Sequence, residues 1–322
     1  MNGATAISVV VASHGRHLRL RWLLNALEEQ TLPERWDVVV VHDYDEQTAH
    51  RVIDEHPLAR AGRLRHIAIE PGTGSPARQR NIGWRAASAE LIAFTDDDCR
   101  PEPDWLERLL AAGRAAPGQP VQGRTDPEPE EWEILRAPHV RTLLIEPVGP
   151  FCQTCNMLYP RELLEALGGF DERAITGEDV DLSLRARAAG RAIAGAPDAV
   201  VHHAIESHTL PGILRQNLKW RYLAYLVKRH PELRRDLFLW VFWDAEHARS
   251  ALALAGIVAA ALWTPWALLA AAPYVAHGLR RRGPRPRGVL IAALELPGQA
   301  VRQFAEVLGL AYGSLRRGTL IL

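Results

Sequence analysis

Along the first two hundred residues, apolar positions follow two patterns in turn. Residues 7–12, 38–41 and 91–94 are short, nearly continuous apolar runs rich in β-branched side chains, as in strands covered on both faces. Residues 64–69 read as a weaker strand of the same kind. Between these runs the period changes: Leu18, Trp22, Leu23 and Leu27 recur near helical spacing until Pro33, and residues 77–87 form a second helix carrying Arg78, Arg80 and Asn81. Strand, helix, strand, strand, helix, strand with short connections predicts a mainly parallel α/β sheet with helices on both faces. Beyond it the pattern predicts a helix over 103–115, a short strand at Val121 and a strand over 151–159. A helix over 161–167 stopped by Gly168-Gly169, a helix running from Gly177 to Gly190 and a strand over 199–203 follow.

Polar residues interrupt these runs at informative places. The strand 91–95 ends in Asp96-Asp97-Asp98. Packed carboxylates repel one another and are costly to desolvate, so they need a cation or strong donors. A divalent ion on a diphosphate meets that need, and hard oxygen ligands select Mg²⁺ or Mn²⁺. Ligands of open α/β sheets bind outside the carboxyl ends of the strands, where this triplet falls. A second acidic landmark is Gly177-Glu178-Asp179-Val180-Asp181-Leu182. Three carboxylates in four residues exceed what capping a helix requires. The strand 199–203 ends in His202-His203, metal candidates in a carboxylate-rich protein; strand parity leaves open which of the two ligates. The loop Gly72-Thr73-Gly74-Ser75 lacks both the GK[ST] ending and the GxGxxG spacing, which argues against a dinucleotide site. Its following helix can face a phosphate, with Arg78 and Arg80 within reach of a diphosphate.

Charge changes the picture by what it excludes. Lysine and arginine balance aspartate and glutamate at 38 each, so bulk charge gives no case for nucleic-acid binding. Three cysteines make no disulfide framework, and Cys152 with Cys155 forms a CxxC without a second pair; two small buried side chains are expected there. The first residues show no basic segment followed by an apolar one, so cytosolic chemistry is expected.

Taken in order, these segments resemble glycosyltransferase family 2, the inverting transferases of the GT-A fold, over roughly residues 5–205. The segments that carry the likeness are the strand and turn over 7–16, Ala77-Arg78-Gln79-Arg80-Asn81-Ile82-Gly83 and Phe94-Thr95-Asp96-Asp97-Asp98. Asn156-Met157 leading to Gly168-Gly169-Phe170-Asp171-Glu172, and Gly177-Glu178-Asp179-Val180-Asp181-Leu182, complete it. The resemblance implies a Rossmann-like sheet and transfer of a sugar from a nucleoside diphosphate sugar to an acceptor hydroxyl with inversion. It implies metal held by Asp98 and Asp96 with His202 or His203, and Asp179 as base with Glu178 orienting the acceptor. Asp43 would contact the nucleoside, and Arg80, Asp96 and Asp97 would bind the nucleotide sugar. Two departures are His42-Asp43 in place of an acidic pair, and Ser13-His14-Gly15 in place of a ProThr turn; they bear on base and sugar selectivity. Two rivals are a non-catalytic nucleotide-sugar-binding or assembly subunit and a sugar-phosphate nucleotidyltransferase. The second needs a Gly-rich basic loop after the first strand, where residues 13–21 hold one glycine.

From residue 211 the character changes, which sets expected domains of 1–210 (catalytic) and 211–322 (helical). Leu214, Leu218, Tyr222, Tyr225 and Leu226 line a predicted helix that also carries Arg215, Lys219, Arg221 and Lys228, a combination suited to a membrane surface. Residues 251–276 carry no charge, with Trp263, Trp266 and a central Pro265; the length allows a span or a shallow hairpin. Arginines crowd 280–287, which favours the cytoplasmic face and anionic lipid. Residues 289–322 read as a helix with a mixed face. A peripheral or integral membrane protein with a glycan or lipid-linked acceptor is the resulting expectation, in a cell-wall or polysaccharide pathway.

Overall fold

The valine-rich runs become the centre of an eight-stranded sheet in the computed structural model, which describes residues 4–137 and 139–322. The strands are β1 (Ile7–Ser13), β2 (Trp36–His42), β3 (Leu64–Ala68), β4 (Leu91–Asp96), β5 (Cys99–Pro101), β6 (Val121–Pro127), β7 (Val140–Arg141), β8 (Asn156–Pro160), β9 (Ala194–His203) and β10 (Glu206–Ser207). The large sheet runs β3-β2-β1-β4-β8-β6-β9-β5, and β7 pairs with β10 apart from it. β1 is parallel to β2 and β4, β2 to β3, and β6 to β9; β8 and β5 run against their neighbours. The helices of this part are α1 (His17–Glu28), α2 (Glu46–Ala49), α3 (Pro57–Arg60), α4 (Pro76–Ala86), α5 (Trp105–Ala115), α6 (Arg161–Leu167) and α7 (Glu178–Ala188).

Alternation along the strands sorts two cores onto the two faces. Val9, Val11, Val38, Val40 and Ala93 meet Leu20, Leu23, Leu24 and Leu27 of α1 and Trp105, Leu106 and Leu109 of α5. Val10, Val39, Val41, Ile92 and Phe94 meet Trp84 of α4, Leu163 and Leu164 of α6, Leu182 of α7, and Phe170 from the segment between α6 and α7. Each such aliphatic side chain contributes about 1.5–3 kcal/mol over an exposed one. Helix α4 lies close on β1 because residue 83 is glycine: a Cβ there would stand 2.4 Å from Cγ1 of Val10. Asn81 then joins two of the motifs. Its amide donates to the Phe170 carbonyl at 2.9 Å and accepts from the Phe170 amide at 2.9 Å. Gly169, at φ +74°, leaves room for it, since a Cβ would come within 2.4 Å of Asn81 Oδ1.

By chain contacts the protein divides into two units, Met1–Ser207 and His208–Leu322. The second holds α8 (Leu210–Asn217), α9 (Leu223–Arg229), α10 (Ala245–Leu262), α11 (Ala272–Arg280) and α12 (Pro286–Arg317), with short 3-10 segments between them. Several element expectations change. The strand expected over 151–159 begins only at Asn156, because the preceding turn holds Cys152 at φ +47°. The single helix expected around 214–226 is two helices joined by a 3-10 turn at Leu218–Tyr222. Residues 251–276 form no continuous span: α10 stops at Leu262, and Pro265–Ala271 is 3-10.

Candidate active site

Three loops converge at the carboxyl ends of β1, β2 and β4. Ser13 pairs with His42 and Ala12 with Asp96 in the sheet register, which sets the loops at 13–16, 42–45 and 96–98 side by side. Asp97 is 5% exposed and turns back into the protein. Tyr44 Oη lies 2.5 Å from Ser13 Oγ, which donates to Asp97 Oδ2 at 2.6 Å, forming a relay between the three loops. Burial, with Asp98 beside it, pushes the Asp97 carboxyl up to about 7. Asp98 is 7% exposed, and burial raises its pKa against the pull of His203 and Arg16. Arg16 Nη1 bonds Asp98 Oδ2, and its other arm reaches towards Glu206 at 3.5 Å. Burial works against the Arg16 charge, but Asp98 and Asp97 outweigh it and raise its pKa.

Donor atoms of Asp96, Asp98 and His203 lie within 4.8 Å of one another, the one such cluster among the described residues. His203 Nδ1 bonds the Ala204 carbonyl at 2.9 Å; a carbonyl only accepts, so the proton sits on Nδ1. Nε2 is therefore the ring nitrogen left to ligate, 3.7 Å from Asp98 Oδ1. Two hard carboxylates and one imidazole nitrogen form a donor set that fits Mn²⁺ or Mg²⁺. Expected ligand His202 is not in this cluster. In the β5–β9 pairing His203 stands opposite Cys99 and His202 opposite Arg100, so the two rings leave opposite faces; His202 Nε2 bonds Glu102.

Arg80 ties the triplet to the second acidic motif. It is 6% exposed and donates from Nη2 to Asp96 at 2.8 Å and from Nη1 to Glu178 at 2.7 Å. Burial opposes its charge, while Asp96 and Glu178 raise its pKa above the ordinary arginine value. Both terminal nitrogens hold carboxylates, so Arg80 acts as a strut. Arg78 is turned outward and bonds the Thr73 carbonyl at 2.8 Å. In α7, Gly177 takes φ +77° to start the helix, and Asp179 Oδ1 accepts from the Val180 amide at 2.8 Å. Burial, then repulsion from Glu178, pushes the Asp179 carboxyl up to about 7, with Arg80 pulling the other way. Asp181 is fully buried and bonds Arg185 at 2.7 Å; Arg185 also holds the Leu167 and Gly169 carbonyls at 2.7 Å.

Asp43 lies at the end of β2, where His14 Nδ1 meets its Oδ2 at 2.6 Å. The preceding His42 is structural. Its Nδ1 accepts the Tyr44 amide at 3.1 Å, so Nε2 donates to His66 Nδ1 at 2.7 Å. Burial and His66 lower its pKa to about 4, so it stays neutral. Ser13, Arg16 and Tyr44 are the site residues the sequence reading left out; only the turn after β1 hinted at the first two. Cys152 and Cys155 are buried apart from the cluster, bonding respectively Arg187 at 3.3 Å and Thr125 at 3.5 Å.

The model of family "Glycosyl transferase family 2" matches residues 8–168, half of the chain, and "Glycosyltransferase like family 2" matches 148–222. The chain belongs to glycosyltransferase family 2. Among family relatives, it is 24% identical over 204 residues to "Glycosyltransferase AglE" of Haloferax volcanii, covering 61% of this chain and 66% of that protein. It is 28% identical over 189 residues to "Pre-mycofactocin glycosyltransferase" of Mycobacterium tuberculosis, covering 54% and 40%. It is also 28% identical over 215 residues to "Succinoglycan biosynthesis protein ExoM" of Rhizobium meliloti, covering 64% and 67%. Among solved structures it resembles the mannosyltransferase PcManGT of Pyrobaculum calidifontis in complex with GDP-Man and Mn²⁺, at TM-score 0.58 and 20% identity over 98% of this chain and 88% of that one. S. aureus TarS 1–349 in complex with UDP-GlcNAc gives 0.54 and 15% over 97% and 92%. These likenesses show the fold: the family 2 chain has the GT-A architecture.

Proposed function

We propose that the protein transfers a sugar from a nucleoside diphosphate sugar to an acceptor hydroxyl, with inversion and with a divalent metal. The observation that carries this reading is the Arg80 strut, which holds Asp96 of the metal-fitting cluster and Glu178, the neighbour of Asp179, on one guanidinium. A Mg²⁺ or Mn²⁺ ion held by Asp96, Asp98 and His203 would neutralise the charge that develops on the leaving diphosphate. The chain's own residues do the rest. Asp179 Oδ1 is engaged by the Val180 amide, which leaves Oδ2 to take the acceptor proton. A carboxyl pushed up to about 7 is a stronger base than an ordinary aspartate once ionised. Glu178, fixed by Arg80, orients the acceptor side, and Asp43 is the candidate contact for the nucleoside. Asp97, anchored through Ser13, keeps the triplet's turn in shape.

The named solved neighbours hold GDP-Man and UDP-GlcNAc, which supports a nucleotide-sugar donor without choosing the base. One relative is named for succinoglycan biosynthesis and another, from Myxococcus xanthus, for O-antigen biosynthesis, which supports a glycan acceptor; a lipid link and a place at the cytoplasmic membrane face are part of the proposal. The test is purified protein against a panel of nucleotide sugars with Mn²⁺, scored by released nucleoside diphosphate, beside parallel reactions in chelator. Metal-dependent release from one donor is expected. Metal-dependent nucleotide binding without release from any donor, even with membrane extract as acceptor, would favour the non-catalytic subunit.

A further inference from the structure

The C-terminal unit leaves its most apolar part uncovered. One helix, α10, is long and apolar enough to cross a membrane by length and composition. Its charged residues, Glu246 and Arg249, lie at its start, so the uncharged arm is residues 250–262, about 20 Å of helix at 1.5 Å per residue. A hydrocarbon core is about 30 Å thick, with about 15 Å to its midplane. After Leu262 the chain turns and comes back. Gly256 of α10 admits the returning arm: a Cβ there would meet the Ala267 carbonyl and the Ala270 Cβ, each at 2.7 Å. The ends then close, with Arg281 Nη1 3.2 Å from Glu246 Oε1. Residues 246 and 281 are thus on the same side, with the apolar run looped between them. The loop is anchored at its base, where Ser250 is fully buried and Tyr274 donates to Gln303 of α12 at 2.6 Å.

From residue 257 to 269 no side chain is buried, and Trp263 and Trp266 at the tip are 81% and 77% exposed. A contiguous apolar surface of this kind marks an interaction site. Charge identifies the partner. Five arginines lie within residues 280–287; Arg281 and Arg282 pair with Glu246 and Glu295, while Arg280, Arg285 and Arg287 are exposed just past the hairpin's base. An apolar tip below a cationic collar is complementary to an anionic bilayer: acyl chains for the tip, lipid headgroups for the arginines.

We propose that residues 251–276 enter one leaflet as a hairpin, with Trp263 and Trp266 in its hydrocarbon and Arg280, Arg285 and Arg287 on the headgroups of the same face. The chain attaches from one side and does not cross. This rests on the membrane part of the reading above and names its mode.

The test uses the full chain with sealed vesicles of phosphatidylcholine and phosphatidylglycerol. Single cysteines are introduced as Trp263→Cys or Arg285→Cys; the three native cysteines are buried. A membrane-impermeant maleimide is added before or after permeabilisation. Under the proposal the protein floats with the vesicles, Arg285→Cys reacts from outside, and Trp263→Cys is protected under both conditions. A fluorophore at position 263 is quenched by nitroxides in the near leaflet. The double variant Trp263→Ser, Trp266→Ser partitions at least ~10-fold more weakly, while its hydrolysis of free nucleotide sugar is unchanged. Flotation with Trp263→Cys reactive only after permeabilisation means a span and overturns the hairpin alone. Failure to float overturns the membrane reading itself. Protection of Trp263→Cys without lipid, together with a sedimenting dimer, assigns the apolar tip to a second copy of the chain and also overturns the proposal.

Discussion

Asp97 and Asp98, carboxylates, are 5% and 7% exposed, whereas Trp263 and Trp266, among the largest apolar side chains, are 81% and 77% exposed. The catalytic unit and the C-terminal unit depart from ordinary burial in opposite directions. In the first, charge is withdrawn from water and held by Arg16, Arg80 and Ser13 around a donor set of three residues. In the second, apolar surface is left in water although the same helices bury Ser250 and Gln303 at their base. Either departure costs free energy in the isolated chain. Under the two proposals each would be relieved by a partner of matching chemistry: a divalent cation with a diphosphate in one unit, a lipid leaflet in the other. Departures from local consistency are where function concentrates.

The comparison can be broken at either end, and its largest lever is Arg80. Arg80→Met leaves the buried Glu178 and the part-exposed Asp96 without their common cation. A loss of about 3–5 kcal/mol in unfolding free energy is expected, with turnover below detection. Unfolding in denaturant beside a turnover assay measures both, and a fully stable, active variant would remove the strut from the account. Next, Asp98→Ala should lower turnover at least ~100-fold in Mn²⁺ and weaken metal-dependent nucleoside diphosphate binding by calorimetry. Full activity in chelator would sink the metal assignment. The two histidines sharpen the geometry: His203→Ala should weaken Mn²⁺ affinity about 10-fold, whereas His202→Ala should leave it within about twofold. A titration of Mn²⁺ against turnover separates them. The pH profile is the mildest lever. The base must be ionised, so with Asp179 pushed up to about 7, turnover should fall about tenfold per pH unit below that value and level off above it. A flat profile from pH 5 to 8 would mean that the proton leaves by another group.

Much of the catalytic unit was legible in its sequence because its signals are local. Ile7–Ser13 and Trp36–His42 show continuous valine-rich runs, and fully buried parallel strands leave that trace. The triplet at 96–98 and the motif at 177–182 are contiguous, so their chemistry could be read before their geometry. What stayed hidden depends on pairing across the sheet. The choice of His203 over His202 follows from the register of β5 with β9, and β5 is three residues long. Arg16 reaches Asp98 across 82 positions, and Tyr44 meets Ser13, which in turn holds Asp97, across 31, beyond any periodic signal. The structural role of Asn81, clamping Phe170, was likewise invisible although the residue was noticed. In the C-terminal unit, Pro265 was the signal for the break after Leu262, but composition alone left a span and a hairpin equally open.

The most direct test is the turnover of Asp179→Asn at saturating nucleotide sugar and Mn²⁺, in protein shown by calorimetry to bind nucleoside diphosphate as tightly as the parent chain. The substitution keeps the shape and the Val180 contact and removes the base. A fall of about 10²–10⁴-fold in turnover is the predicted result. Turnover within a few-fold of the parent would contradict the account and move the proton transfer away from Asp179, with Glu178 the next group to examine.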